Sequence, residues 1–139
     1  MRKQDLERIL VSEDRIKRRV AELGQEIDSH YKKKEILLIT LLNGAIVFTA
    51  DLIRNIRSPL WLDTLRAQSY GTGTSSSGDP KITGDLRLPV EGAEVLLVDD
   101  ILDTGNTLSR VVEEISQRQP ASIRTCVLLD KKERRQTAC

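Results

Sequence analysis

Ile36-Leu37-Leu38-Ile39-Thr40-Leu41-Leu42 is a short, nearly continuous apolar run, entered from Lys32-Lys33-Lys34-Glu35 and left through Asn43-Gly44. A strand with one wet face alternates apolar and polar side chains. A run that is apolar at almost every step has both faces covered, as strands of parallel sheets do. Past the Asn43-Gly44 break the period changes: Ile46, Val47, Ala50, Leu52 and Ile53 predict a helix over 45–56, so the two segments form a βα unit. Toward the N-terminus, Leu6, Ile9, Leu10, Ile16, Val20, Leu23 and Ile27 are spaced by threes and fours and interrupted around Ser12-Glu13-Asp14. Two amphipathic helices are expected there, the second capped by Ser12 with Arg15 to Asp28 following. Toward the C-terminus, Pro59 restarts the chain as a strand over 60–67, and the Gly- and Ser-rich stretch from Ser69 to Pro80 reads as a mobile loop. Next come a short hairpin strand over 82–88, a turn at Glu91-Gly92 and a second buried strand from Glu94 to Val98. A helix from Thr107 to Gln119 rests on Leu108, Val111, Val112 and Ile115 and stops at Pro120; a strand over 123–129 and a charged tail complete the chain. Strands alternating with helices make this an α/β fold with a mainly parallel sheet flanked by helices, organised as one domain over 1–139.

Lys plus Arg number 22 against 21 Asp plus Glu, and a net charge of +1 supplies no broad field for nucleic acid or an anionic membrane. Neither partner is expected, so a bound anion has to be gripped by a local site. No apolar run approaches the roughly 20 residues that span a bilayer. Met1 to Glu7 lacks the apolar stretch of a secretory signal, which points to a cytoplasmic protein. Cys126 and Cys139 show neither a CxxC nor a Cys/His spacing, and neither a disulfide nor a zinc site is expected. The lone His30 is expected to lie exposed, without a catalytic role.

In open α/β sheets ligands lie beyond the carboxyl ends of strands, where a loop enters a helix. The richest such junction here is Val95-Leu96-Leu97-Val98-Asp99-Asp100-Ile101-Leu102-Asp103-Thr104-Gly105-Asn106-Thr107. The opening of the following helix offers free backbone N–H groups, Thr104 and Thr107 add hydroxyls, and Gly105 permits close approach of a phosphate. Asp99 and Asp100 would repel that phosphate but can accept hydrogen bonds from vicinal hydroxyls, directly or through Mg²⁺. A sugar phosphate satisfies both halves. Helix capping alone explains one Asp or Thr and leaves two adjacent acids at the end of an apolar strand unaccounted for.

This stretch resembles the PRPP-binding signature of the phosphoribosyltransferases: an apolar strand, two acids, two apolar residues, then Asp-Thr-Gly and a closing Thr. Within that family the chain is most similar to hypoxanthine-guanine phosphoribosyltransferases, through Leu41-Leu42-Asn43-Gly44-Ala45, Phe48-Thr49-Ala50-Asp51-Leu52, Ser69-Tyr70-Gly71 and Leu128 to Arg135. The resemblance implies a type I phosphoribosyltransferase fold and transfer of the 5-phosphoribosyl group from PRPP to hypoxanthine or guanine. The products are IMP or GMP and pyrophosphate, and Mg²⁺ is the cofactor. It gives Asp99 and Asp100 to the ribose hydroxyls and to the metal, directly or through water. Asp103 becomes the catalytic base near the purine N7, and Asp103, Thr104, Gly105, Asn106 and Thr107 cradle the 5′-phosphate. Leu42, Asn43, Gly44 and Arg135 go to the pyrophosphate, in a loop whose peptide before the second residue is often cis. Ser69 and Tyr70 belong to a flexible loop closing over an oxocarbenium-like transition state, while Lys131 and Ile101 contact the purine, Lys131 through the 6-oxo group. Read without the resemblance, Asn43-Gly44 is a turn, Ser69 to Pro80 a surface loop and the Lys/Arg cluster a solvated tail.

Family members continue past the Lys/Arg stretch into a base-binding hood with an aromatic that stacks on the purine; this chain stops at Cys139, so that hood is expected to be largely missing. Asn43 stands where some relatives carry a basic residue. Three functions therefore compete. The first is the purine transferase. The second is a donor-binding regulatory or inactive module of the same fold, like the pyrimidine-operon attenuators. The third is a response-regulator-like domain, which leaves Asp103-Thr104-Gly105 unexplained. Apolar positions left uncovered on the first helices and on the 45–56 helix point to a homodimer or homotetramer.

Overall fold

The computed structural model describes residues 12–69, 80–102 and 106–130. Its first element is α1 (Glu13–Tyr31), where the Ser12 hydroxyl accepts from the Arg15 N–H and Glu13 and Asp14 sit in the first turn. That is the expected cap and helix. The helix proposed before it, over residues 5–11, lies outside the described residues. β1 (Ile36–Leu42), α2 (Ile46–Ile53) and β2 (Leu60–Ser69) follow. β3 (Pro80–Thr83), β4 (Glu94–Leu102), α3 (Asn106–Ser116) and β5 (Ser122–Asp130) complete the order.

The five strands lie in the order β3-β2-β1-β4-β5. β1 pairs in parallel with β2 and β4, and β4 in parallel with β5; only β3 is antiparallel, against β2. Every residue of β1 from Ile36 to Leu41 is buried, as a central strand requires. Even-numbered β1 and β4 residues (Ile36, Leu38, Leu96, Val98) pack with α1 and α2, and odd-numbered ones (Leu37, Ile39, Val95, Leu97) with α3. The α/β fold with a mainly parallel sheet is thus as expected.

Several boundaries differ from expectation; α3, for one, ends at Ser116 rather than Gln119. The 82–88 hairpin strand is confined to Pro80–Thr83. Residues 87–88 instead donate their backbone N–H groups to the buried Asp63 carboxylate, at 2.7 and 2.9 Å, so they are tied down by a side chain rather than by a ladder. The helix expected over 45–56 ends at Ile53. β4 runs past Val98 through both acids to Leu102, because β5 stays paired with it out to Leu102↔Asp130.

Candidate active site

The connection from β1 goes by α2 to β2 on one side of the sheet, and the connection from β4 goes by α3 to β5 on the other. Where neighbouring parallel strands send their chains in opposite directions a crevice opens at their carboxyl ends. Here that crevice lies between β1 and β4, and both stretches singled out in the sequence border it.

The turn after β1 is tightly built. The Leu42–Asn43 peptide is cis, as the resemblance implies. The Ala45 N–H donates to Leu41 O at 3.3 Å and the Ile46 N–H to Asn43 O at 3.2 Å. Beneath it the buried hydroxyls of Thr40 on β1 and Thr49 on α2 are 2.7 Å apart, fastening helix to strand. Gly44 is exposed, and a Cβ there would stand 2.8 Å from Asp100 Oδ2, so the turn lies directly against the acid pair. A side chain there would have to displace the Asp100 carboxylate.

Asp99 and Asp100 are both partly buried. Alternation assigns the Asp100 position to the face of Leu96 and Val98 and the Asp99 position to that of Val95 and Leu97, yet the two carboxyl groups still come close enough to interact. The Asp100 backbone N–H donates to Asp99 Oδ1 at 2.8 Å. Burial pushes the Asp99 carboxyl up to about 6, with the adjacent Asp100 charge adding to the rise and that N–H opposing it. An acid held this way is stabilised as the carboxylate by anything that donates to it, such as sugar hydroxyls or a cation. Thr107 is half-buried in the first turn of α3, at the helix end where N–H groups are free.

The structure therefore brings together Leu42, Asn43, Gly44, Asp99 and Asp100, with Thr107 in the first turn of the helix that follows β4. Asp103, Thr104 and Gly105, Tyr70, Lys131 and Arg135 lie outside the described residues. Ser69 closes β2, Ile101 lies within β4 and Asn106 opens α3. The sequence reading missed Arg66. It lies on β2 level with Leu42, where the ladder with β1 ends, and its Nη2 donates to Asn43 Oδ1 at 3.4 Å. The signal was the alternation along β2, which puts Arg66 on the same side as Leu60 and Leu62 and leaves it exposed where α2 does not reach.

Among the described residues no three His, Cys, Asp or Glu converge as a metal cage. Two carboxylates at one strand end suit a hard cation that takes its remaining oxygens from substrate and water, as Mg²⁺ does. A separate cavity of about 440 Å³ opens at the other end of the sheet, between Lys34, Trp61, Leu88, Pro89 and Glu94, away from the acids.

Comparison with known proteins agrees with this geometry. The family model of the phosphoribosyl transferase domain matches residues 9–137. The hypoxanthine-guanine phosphoribosyltransferase of Aquifex aeolicus is 47% identical over 129 residues, 92% of this chain and 72% of the relative. That of Bacillus subtilis is 45% identical over 131 residues, 94% of this chain and 73% of its own length. The crystal structure of a hypoxanthine phosphoribosyltransferase from Staphylococcus aureus superposes with a TM-score of 0.91 at 34% identity, covering 98% of this chain and 74% of that one. The chain belongs to the phosphoribosyl transferase family and, within it, to the hypoxanthine-guanine group.

Proposed function

We propose that this chain serves purine salvage, transferring the 5-phosphoribosyl group of PRPP to N9 of hypoxanthine or guanine and releasing pyrophosphate with IMP or GMP. The observation that carries this reading is the meeting of Gly44 with Asp100 at the β1–β4 crevice: a backbone turn in contact with one acid of the pair, where the two ends of a phosphorylated sugar need opposite chemistry. The bond from C1′ to the pyrophosphate oxygen breaks, its electron pair leaving with pyrophosphate, and the purine N9 forms the new bond to C1′. Asp103 accepts the proton that the purine gives up at N7. Asp99 and Asp100 accept from the ribose hydroxyls and hold positive charge near C1′ as it develops. Backbone and hydroxyls from Asp103 to Thr107 hold the 5′-phosphate at the α3 N-terminus. Leu42, Asn43, Gly44 and Arg135 meet the pyrophosphate, Lys131 and Ile101 the base, and Ser69 with Tyr70 exclude water.

Asp99 and Asp100 would hold Mg²⁺, directly or through water, and the bound ion supplies charge neutralisation of the leaving pyrophosphate. A homodimer or homotetramer belongs to the same proposal. It is supported by Ile46 and Val47, which are 55% and 69% exposed beside the site. Cytoplasmic placement is supported by the free thiol of Cys126, buried on β5. Among the described residues no helix is long and apolar enough to cross a membrane.

The test is a spectrophotometric assay with PRPP, Mg²⁺ and each of hypoxanthine, guanine, xanthine and adenine, beside Asp103→Asn. Turnover of 6-oxopurines that collapses in the variant is expected. PRPP binding without turnover of any base would overturn the enzymatic reading in favour of a donor-binding module.

A further inference from the structure

Two opposite charges flank the β1 turn. On the β4 side Asp100 lies against Gly44, and on the β2 side the Arg66 guanidinium donates to Asn43 Oδ1 at 3.4 Å. A guanidinium has five N–H donors and no acceptor, so the Asn43 amide has to turn its oxygen toward Arg66. Its NH₂ group, with two donors, then faces away from Arg66. The turn itself is neutral, and ionised Asp99 and Asp100 have no proton to offer a diphosphate. Arg66 is placed to supply what is missing: it is exposed, it sits on β2 level with Leu42 at the end of β1, and no carboxylate pairs with it among the described residues.

We propose that Arg66 is a specificity-determining residue of this chain, supplying positive charge at the β1 turn and orienting the Asn43 amide so that the site prefers a diphosphate-bearing ligand to a monophosphate. The inference rests on the placement of pyrophosphate at Leu42 to Gly44 proposed above. Arg66 acts partly through Asn43, as a positioning residue, and partly as a mobile cation: at 3.4 Å the existing bond is at the long end of the range and easily exchanged for a charge-assisted one to phosphate oxygen.

Calorimetric titration separates this role from a structural one. Mg²⁺-PRPP, Mg²⁺-pyrophosphate and IMP are titrated into the wild type, Arg66→Gln, Arg66→Lys and the double variant Arg66→Gln/Asn43→Lys. Arg66→Gln is expected to weaken PRPP and pyrophosphate about tenfold while IMP, which lacks the diphosphate, stays within about twofold. Arg66→Lys keeps part of the affinity, and Asn43→Lys restores it in the Gln background by putting a cation on the turn itself. PRPP affinity unchanged in Arg66→Gln, or IMP lost in parallel with PRPP, would overturn the inference. A wild type that binds IMP but neither diphosphate would instead overturn the pyrophosphate placement on which the inference stands.

Discussion

Asp99→Asn should stabilise the unliganded protein while weakening donor binding, because burial holds the Asp99 carboxyl at about 6 against an ordinary 3.8. The sign follows from proton linkage. An acid with a raised folded pKa binds more protons in the native state than in the unfolded state between the two values, so stability falls as pH rises through that window. The full difference, reached above about pH 7, is of the order of 1.36 kcal/mol per unit, or at most about 3 kcal/mol for this shift. Partial exposure of the group brings the expected gain to about 1–3 kcal/mol. Asparagine keeps the oxygen that accepts from the Asp100 N–H and never ionises, so it imitates the protonated acid. Thermal unfolding at pH 8 should show the variant melting several degrees above the wild type, with the free-energy gap about halved at pH 5. Saturating Mg²⁺-PRPP should reverse the order, since a ligand stabilises the form that binds it more tightly. A variant no more stable than wild type at pH 8 would refute burial as the cause. An identical PRPP-induced shift in both proteins would refute the role of Asp99 toward the ribose.

The remaining predictions concern packing and anchoring. Gly44→Ala should leave the melting temperature nearly unchanged but raise the Kd for PRPP at least tenfold in a direct titration, because the new methyl displaces the Asp100 carboxylate at 2.8 Å rather than core atoms. Gly24→Ala should destabilise by about 1–3 kcal/mol in urea unfolding although alanine is the better helix former: its Cβ would stand 2.4 Å from the Asn55 carbonyl oxygen, and backbone cannot move aside as cheaply as a side chain. Asp28→Ala should cost about 1–3 kcal/mol by stripping acceptors from the N–H groups of Arg57 and Ser58 and from the Ser58 hydroxyl, read by the same unfolding curves. Burial pushes the Asp28 carboxyl up, but those hydrogen bonds and the Arg57 charge outweigh it and leave the group below 3.8. The part of its contribution tied to that shift is therefore complete above 3.8 and is lost as pH falls through the lowered value, so the wild-type-minus-Ala difference should shrink in acid.

The opposite shifts at Asp28 and Asp99 separate what the sequence discloses from what it conceals. Asp99-Asp100 was legible because two acids after Val95-Leu96-Leu97-Val98 contradict local burial, and that contradiction is what singles them out as candidate ligand-binding residues. The βα unit at Ile36 to Ile53 was legible for the converse reason: apolar runs and 3.6-residue spacing agree with the fold they enter, so periodicity alone yields the central strand. Asp28 and Asp63 are aspartates like Asp99 and carry no such mark. Their value lies in backbone N–H groups donated from 24 to 30 residues away, a relation that no local pattern encodes. The overextended hairpin at 82–88 has the same origin, since residues 87–88 satisfy their backbone on Asp63 instead of a neighbouring strand. Arg66 is the intermediate case. Alternation along β2 fixes which face it occupies, but its meeting with Asn43 depends on the parallel register Leu42↔Arg66, and register is set by tertiary pairing. A site assembled across a topological switch point is read from sequence strand by strand; the side chains that join one strand's turn to the next emerge only when the sheet closes.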